Sequence, residues 1–108
     1  MLFDLDFPLQ RMVEGYWNRA DIEIDLVAID DDGRRIRFGT CKRDGRRLAR
    51  DVDALRDAAA AFLKLHRRYA GYRQELVAIA PAIPEADRRA IGRAGALAQP
   101  LDELVRDL

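Results

Sequence analysis

Residues 21–29 alternate in character. Ile22, Ile24, Leu26 and Ala28 fall on one face of an extended chain, and Glu23, Asp25, Val27 and Ile29 fall on the other, which is the period-two pattern of a β-strand. Residues 34–42 do the same, with Ile36, Phe38, Thr40 and Lys42 set against Arg35, Arg37, Gly39 and Cys41. Between them stands Asp30-Asp31-Asp32-Gly33, and Asp-Gly is a strong hairpin signal. The short aromatic-bearing segment 12–18 (MVEGYWN) predicts a strand ahead of both. Together the three segments predict an antiparallel meander.

The period then lengthens. After a basic, glycine-containing loop, Leu48, Val52, Leu55, Ala59, Phe62, His66 and Tyr69 recur at alternating spacings of four and three. They predict a helix over 47–69 with one buried stripe. The alanines at 58–61 favour the same helix, and His66 reads as a packed residue of the stripe. Residues 75–80 (ELVAIA) form an apolar run suited to a buried strand, parallel to its neighbour because the helix supplies the crossover that parallel pairing requires. Pro81 and Pro84 close that strand and introduce a helix over 85–93, with Gly95 as its stop. A small edge strand is expected at 96–99 and a closing helix at 100–108, with Leu101, Leu104, Val105 and Leu108 on one face. The fold class is α/β, a mixed sheet flanked by helices.

Composition narrows the function classes. A chain of 108 residues corresponds to one domain, and about 65% of its unfolded surface can be buried at that size. Hydrophobic residues at 49% exclude a disordered tail, and a single Cys excludes a disulfide framework or a multi-cysteine zinc site. No apolar run approaches the roughly 18 residues of a membrane span, and the N-terminus lacks a secretory pattern. The expectation is a cytoplasmic protein.

Basic and acidic residues balance at 19 each, which at first argues against a polyanionic partner, but their distribution changes that. Residues 1–32 carry net −7, residues 33–50 carry net +7, and the remainder is neutral. Opposed blocks on neighbouring strands can simply attract each other across a hairpin. They can also be an acidic cation site beside a basic surface for phosphates. With Asp32 and Gly33 as the central turn residues, Asp25 faces Thr40 and Glu23 faces Lys42, all four on one sheet face. Two carboxylates, a hydroxyl and an amine then sit on adjacent strands, a set suited to a divalent cation and a phosphate. With 17 arginines and only two lysines in the chain, a lysine at 42 points to a site where a compact ammonium is wanted. The simpler alternative is a Glu23–Lys42 ion pair on a solvated face.

The string Glu23-Ile24-Asp25-Leu26-Val27, a hairpin, then Phe38-Gly39-Thr40-Cys41-Lys42 resembles the PD-(D/E)XK nuclease superfamily. The closer likeness, adding Tyr16-Trp17, is to the C-terminal nuclease-like domain of archaeal-type AAA+ ATPases. The resemblance covers residues 12–43 and implies a restriction-endonuclease-like fold and a Mg²⁺-dependent phosphodiesterase site. It implies Asp25 as the metal-binding Asp, Lys42 as the catalytic lysine and Glu23 as an accessory metal ligand. Thr40 takes the place of the metal-binding Glu, so the implied site is impaired or inactive. The superfamily's first helix is reduced or missing, because residues 1–13 are short and contain Pro8. That leaves a C-terminal piece of a larger ATPase, or a second copy in a homodimer covering the exposed face.

Two functional expectations follow. One is a nuclease-like domain that engages DNA through Arg43, Arg46, Arg47 and Arg50, joined by Arg34, Arg35 and Arg37. The other is a non-catalytic regulatory or assembly module for an AAA+ ATPase or a toxin–antitoxin-like partner. No nucleophile–base constellation supports a small-molecule enzyme, and Cys41 reads as a core residue.

Overall fold

A computed structural model of the chain describes residues 11–18, 22–46 and 48–102, and for 11–18, 22 and 23 it gives the strand path and pairing only. The elements run β1 (Arg11–Asn18), β2 (Ile22–Asp30), β3 (Arg35–Cys41), α1 (Leu48–Leu65), a 3₁₀ turn (Arg67–Tyr69), β4 (Arg73–Ala80), α2 (Glu85–Arg93) and β5 (Leu97–Pro100). They form one sheet in the order β1-β2-β3-β4-β5. The first three strands pair antiparallel, and β3–β4 and β4–β5 pair parallel. This is the meander followed by helical crossovers that the change of period predicts.

The β2–β3 register is the expected one, running from Leu26 opposite Gly39 to Asp30 opposite Arg35. The turn itself differs. It spans residues 31–34 rather than 32 and 33, and the left-handed residue is Arg34 (φ 54°) rather than Gly33. Asp30 is the cause. Its buried carboxylate accepts the Gly33 N–H at 2.9 Å and the Arg35 Nε and Nη2 at 3.2 and 3.1 Å. A side chain at Gly33 would collide with that carboxylate. Widening the loop by one residue on each side leaves every strand face where alternation put it.

The Gly33 N–H first, and then Arg35, hold the Asp30 carboxyl below its usual value of 3.8, against the opposing push of burial. A depressed carboxyl stabilises the fold fully above the ordinary value, and that contribution is lost as the pH falls through the depressed one. Asp30→Asn is therefore expected to melt well below the wild type at pH 7. The gap should begin to narrow below about pH 4 and close only once the pH has fallen through the depressed value, measured as melting temperature against pH.

Both helices lie on one face of the sheet. α1 packs on β2, β3 and β4 and against α2, which packs on β5. Val27, Ile29, Ile36 and Phe38 meet Leu55, Ala59, Phe62 and Leu63 of α1. Leu48 and Val52 meet Ala78 and Ala80 of β4, with Ile83 and Ile91 beyond. The opposite face carries a smaller cluster of Leu26, Ala28, Val77 and Ile79.

α1 stops at Leu65 rather than Tyr69, because His66 leaves helical geometry (φ −121°, ψ 70°) and a 3₁₀ turn follows. Tyr69 still reaches the core, and the His66 ring packs with its centroid 4.4 Å from that of Phe62. α2 has the expected bounds, with Gly95 left-handed at φ 90° just beyond it. β5 begins one residue later than expected. The expected closing helix lies mostly outside the described residues, as does the segment before β1 where the superfamily's first helix would fall.

Candidate nucleic-acid interface

Strands β3 and β4 are parallel, so their carboxyl ends open at the same edge, where the loops to α1 and α2 leave the sheet. In open α/β sheets this edge is where ligands bind. Alternation carries Thr40 of β3 and Asp25 of β2 to the α1 side of that edge. Thr40 is buried at 8% exposure, and its Oγ1 donates to Asp25 Oδ2 across a long 3.4 Å. The Cys41 N–H donates to the same oxygen at 2.8 Å. Lys42 follows directly, held by its backbone N–H donating to the Ile79 carbonyl at 2.9 Å.

Asp25, Thr40 and Lys42 line a cavity of about 220 Å³ with Asp51, Ala54, Leu55 and Ala58 of α1. Beside it, and sharing Lys42 and Asp51, is a larger open concavity of about 680 Å³. Its walls are Lys42, Arg43, Asp44, Arg46, Arg50 and Asp51. The expected residues Asp25, Thr40, Lys42, Arg43, Arg46 and Arg50 thus border one continuous pair of hollows. The strand position of Glu23 is opposite Trp17. Its side chain lies outside the described residues, as do those of Tyr16 and Trp17 and the whole of Arg47.

The loop that carries the cations is held in place by close packing. Gly45 sits against the backbone of Ala82 and Ile83, in the loop between β4 and α2, so closely that any Cβ would collide with the Ala82 carbonyl. Within the loop, Arg46 is committed. Its Nε and Nη2 donate to the Asp44 carboxylate at 3.0 and 2.9 Å, and its backbone N–H donates to Asp44 at 2.9 Å. Hydrogen bonding and charge from Asp44 push the Arg46 guanidinium further up, so it stays charged. Among the described residues, no carboxylate pairs with Lys42, Arg43 or Arg50.

Three other arginines of the basic block are spent elsewhere. Arg35 holds Asp30 at the hairpin turn. Arg34 lies over the Tyr72 ring, 5.5 Å from its centroid, at that same end of the sheet. Arg37 is buried at 3% exposure with Glu75, so it does not reach a phosphate. Cys41 also differs from expectation. It lies at the end of its strand and is exposed rather than in the core.

Sequence reasoning passed over Asp51. It stands in the first turn of α1 and lines both hollows. The available signal was its position one turn into the helix that follows the basic loop.

The described donor set is a poor match for a resident Mg²⁺, which is held by one or two freely available carboxylates with waters completing its octahedron. Asp25 Oδ2 already accepts two hydrogen bonds, and Thr40 brings a neutral hydroxyl. The walls of the two hollows carry four cations against three carboxylates. Among the described residues, no three of His, Cys, Asp and Glu come together as a metal-binding group. No family model matches the chain, and no curated protein matches it significantly.

Proposed function

We propose that this chain is a nuclease-like, DNA-engaging domain whose phosphodiesterase site is impaired, with Thr40 where a PD-(D/E)XK enzyme carries its metal-binding Glu. One observation carries the reading. The 680 Å³ concavity at the carboxyl edge of β3 and β4 is lined by Lys42, Arg43, Arg46 and Arg50, beside the Asp25–Thr40 pair of the motif. A positive hollow on the surface raises the local concentration of polyanions. The first turn of the 18-residue helix α1 opens next to it, adding the positive end of a helix dipole. Lys42, Arg43 and Arg50 are the groups to which phosphates bind, and Arg46 joins them when a phosphate displaces Asp44. That exchange is permitted because the Arg46–Asp44 pair is largely solvent-exposed, and exposed pairs are worth about 0–1 kcal/mol.

The test is fluorescence anisotropy on a labelled 20-base-pair duplex over a series of salt concentrations. Wild-type binding is expected in the micromolar range at 50 mM salt, weakening steeply toward 200 mM. Arg43→Glu combined with Arg50→Glu is expected to weaken binding at least tenfold and to flatten the salt slope by about two. No binding by the wild type at 50 mM salt overturns the proposal. A partner ATPase captured without any DNA affinity would favour the assembly-module reading in its place.

A further inference from the structure

We infer that the Asp25–Thr40 pair is a closed latch that needs no divalent cation, and that Thr40 is the residue that makes the phosphate seat of this chain metal-independent. The inference rests in part on the DNA-engaging reading, but the latch stands on its own geometry.

Strand β3 runs out at Cys41, and among the described residues its ladder with β2 ends at the Leu26–Gly39 pair. Beyond that point the Asp25 side chain replaces backbone pairing. One carboxylate oxygen takes the Cys41 N–H at 2.8 Å and the Thr40 hydroxyl at 3.4 Å. A carboxylate that accepts a backbone N–H in this way acts as a structural cap, since an unpaired N–H next to a buried strand would be costly.

Position 40 decides what else this carboxylate can do. A Glu at 40 would set a second negative charge against Asp25 on the neighbouring strand, and like charges facing across a ladder destabilise it unless a cation lies between them. The hydroxyl removes the repulsion and adds a donor, so Asp25 Oδ2 is satisfied from within the chain. Lys42, Arg43 and Arg50 lie close by with no carboxylate partner among the described residues. Their positive field favours a phosphate and opposes Mg²⁺. The seat therefore takes the anion directly, with lysine and arginine in the role a metal would otherwise have.

The experiment has two arms on the full chain. In the first, melting temperature is followed without DNA while Mg²⁺ or Mn²⁺ is raised to 10 mM at constant ionic strength. The wild type is expected to show no saturable shift. Thr40→Glu is expected to melt lower in EDTA and to recover by several degrees with Mn²⁺. If Thr40→Glu does not fold, Thr40→Val serves instead. It keeps the shape, loses the donor, and is expected to melt a few degrees lower with no response to either metal. In the second arm, DNA affinity of the wild type is compared in EDTA and in Mg²⁺ at matched ionic strength and should agree within twofold. A saturable rise in wild-type melting temperature that Asp25→Asn abolishes overturns the latch. DNA affinity that disappears in EDTA overturns metal independence. Absence of DNA binding in both buffers counts against the DNA-engaging reading alone, because the melting arm does not depend on it.

Discussion

Phe38→Ala is expected to lower the melting temperature by about 15 °C, corresponding to a loss of about 3–5 kcal/mol. Phe38 has no exposed surface and stands at the middle of β3, where its ring meets Phe62 of α1 edge-on, with centroids 5.4 Å apart and planes at 72°. Truncation removes most of the buried area of the ring, leaves a cavity between sheet and helix, and takes away an aromatic pair worth about 0.5–1.5 kcal/mol. Phe38→Leu fills much of the same space and should cost less than half as much. Chemical denaturation of the three proteins checks both the size and the order. A Phe38→Ala protein as stable as Phe38→Leu would mean that α1 does not dock on β3 through this ring. Only Gly39 separates Phe38 from Thr40, so the same truncation also loosens the strand that presents the site.

The second large effect is expected at Glu75. Arg37 is buried, and its Nε and Nη2 both donate to Glu75 Oε1, at 3.2 and 3.0 Å. The two residues are direct partners across the β3–β4 ladder. Glu75→Ala strands a guanidinium that cannot lose its proton, a situation that typically costs 3–5 kcal/mol. Arg37 keeps further contacts, which places this loss near the lower bound, at about 3 kcal/mol. Replacing both residues, Arg37→Met with Glu75→Leu, is expected to restore most of that loss, because a well-packed apolar pair removes the desolvation problem altogether. Arg37→Met alone should be milder than Glu75→Ala, since the Glu75 side chain retains 24% exposure and can turn to water. A double-mutant cycle in urea measures the coupling. Equal losses from the two single variants would contradict the buried-arginine account.

Arg37 also shows where the sequence stopped being legible. Period two places Arg35, Arg37, Gly39 and Cys41 on one face, and both arginines of that face were expected to join the phosphate contacts. Arg37 is buried only because β4 docks in a register that sets Glu75 beside it, and no local pattern specifies a parallel register across a 31-residue connection. The β2–β3 pairing was legible for the opposite reason. A hairpin register follows from alternation and turn position, and an error of one residue would have turned Val27, Ile29, Ile36 and Phe38 out of the core. The turn was read too tight because the Asp-Gly signal takes no account of the buried Asp30 carboxylate that Gly33 must approach. The convergence of Asp25, Thr40 and Lys42 followed directly from the register. Asp51 did not, since it reaches the hollow through the angle at which α1 crosses the sheet. The basic block divides between paired and unpaired side chains. Arg35 is neutralised across the hairpin by Asp30, while Arg43 and Arg50 have no carboxylate partner among the described residues.

Strand order equals chain order in this sheet, and that has a consequence for how the molecule assembles. Each strand can be added at one growing edge as synthesis proceeds, with no insertion between strands already paired. The meander closes through short connections, which is the fast kind of contact to make, and α1 can then dock on Val27, Ile36 and Phe38. At that stage Asp25, Thr40 and Asp51 are already gathered. The Lys42 backbone anchor on Ile79 and the Gly45 contact with Ala82 both wait for β4 and the loop after it. Asp25, Thr40 and Asp51 are thus brought together before the basic loop is fixed, and the larger hollow lined by Lys42, Arg43, Arg46 and Arg50 is completed last.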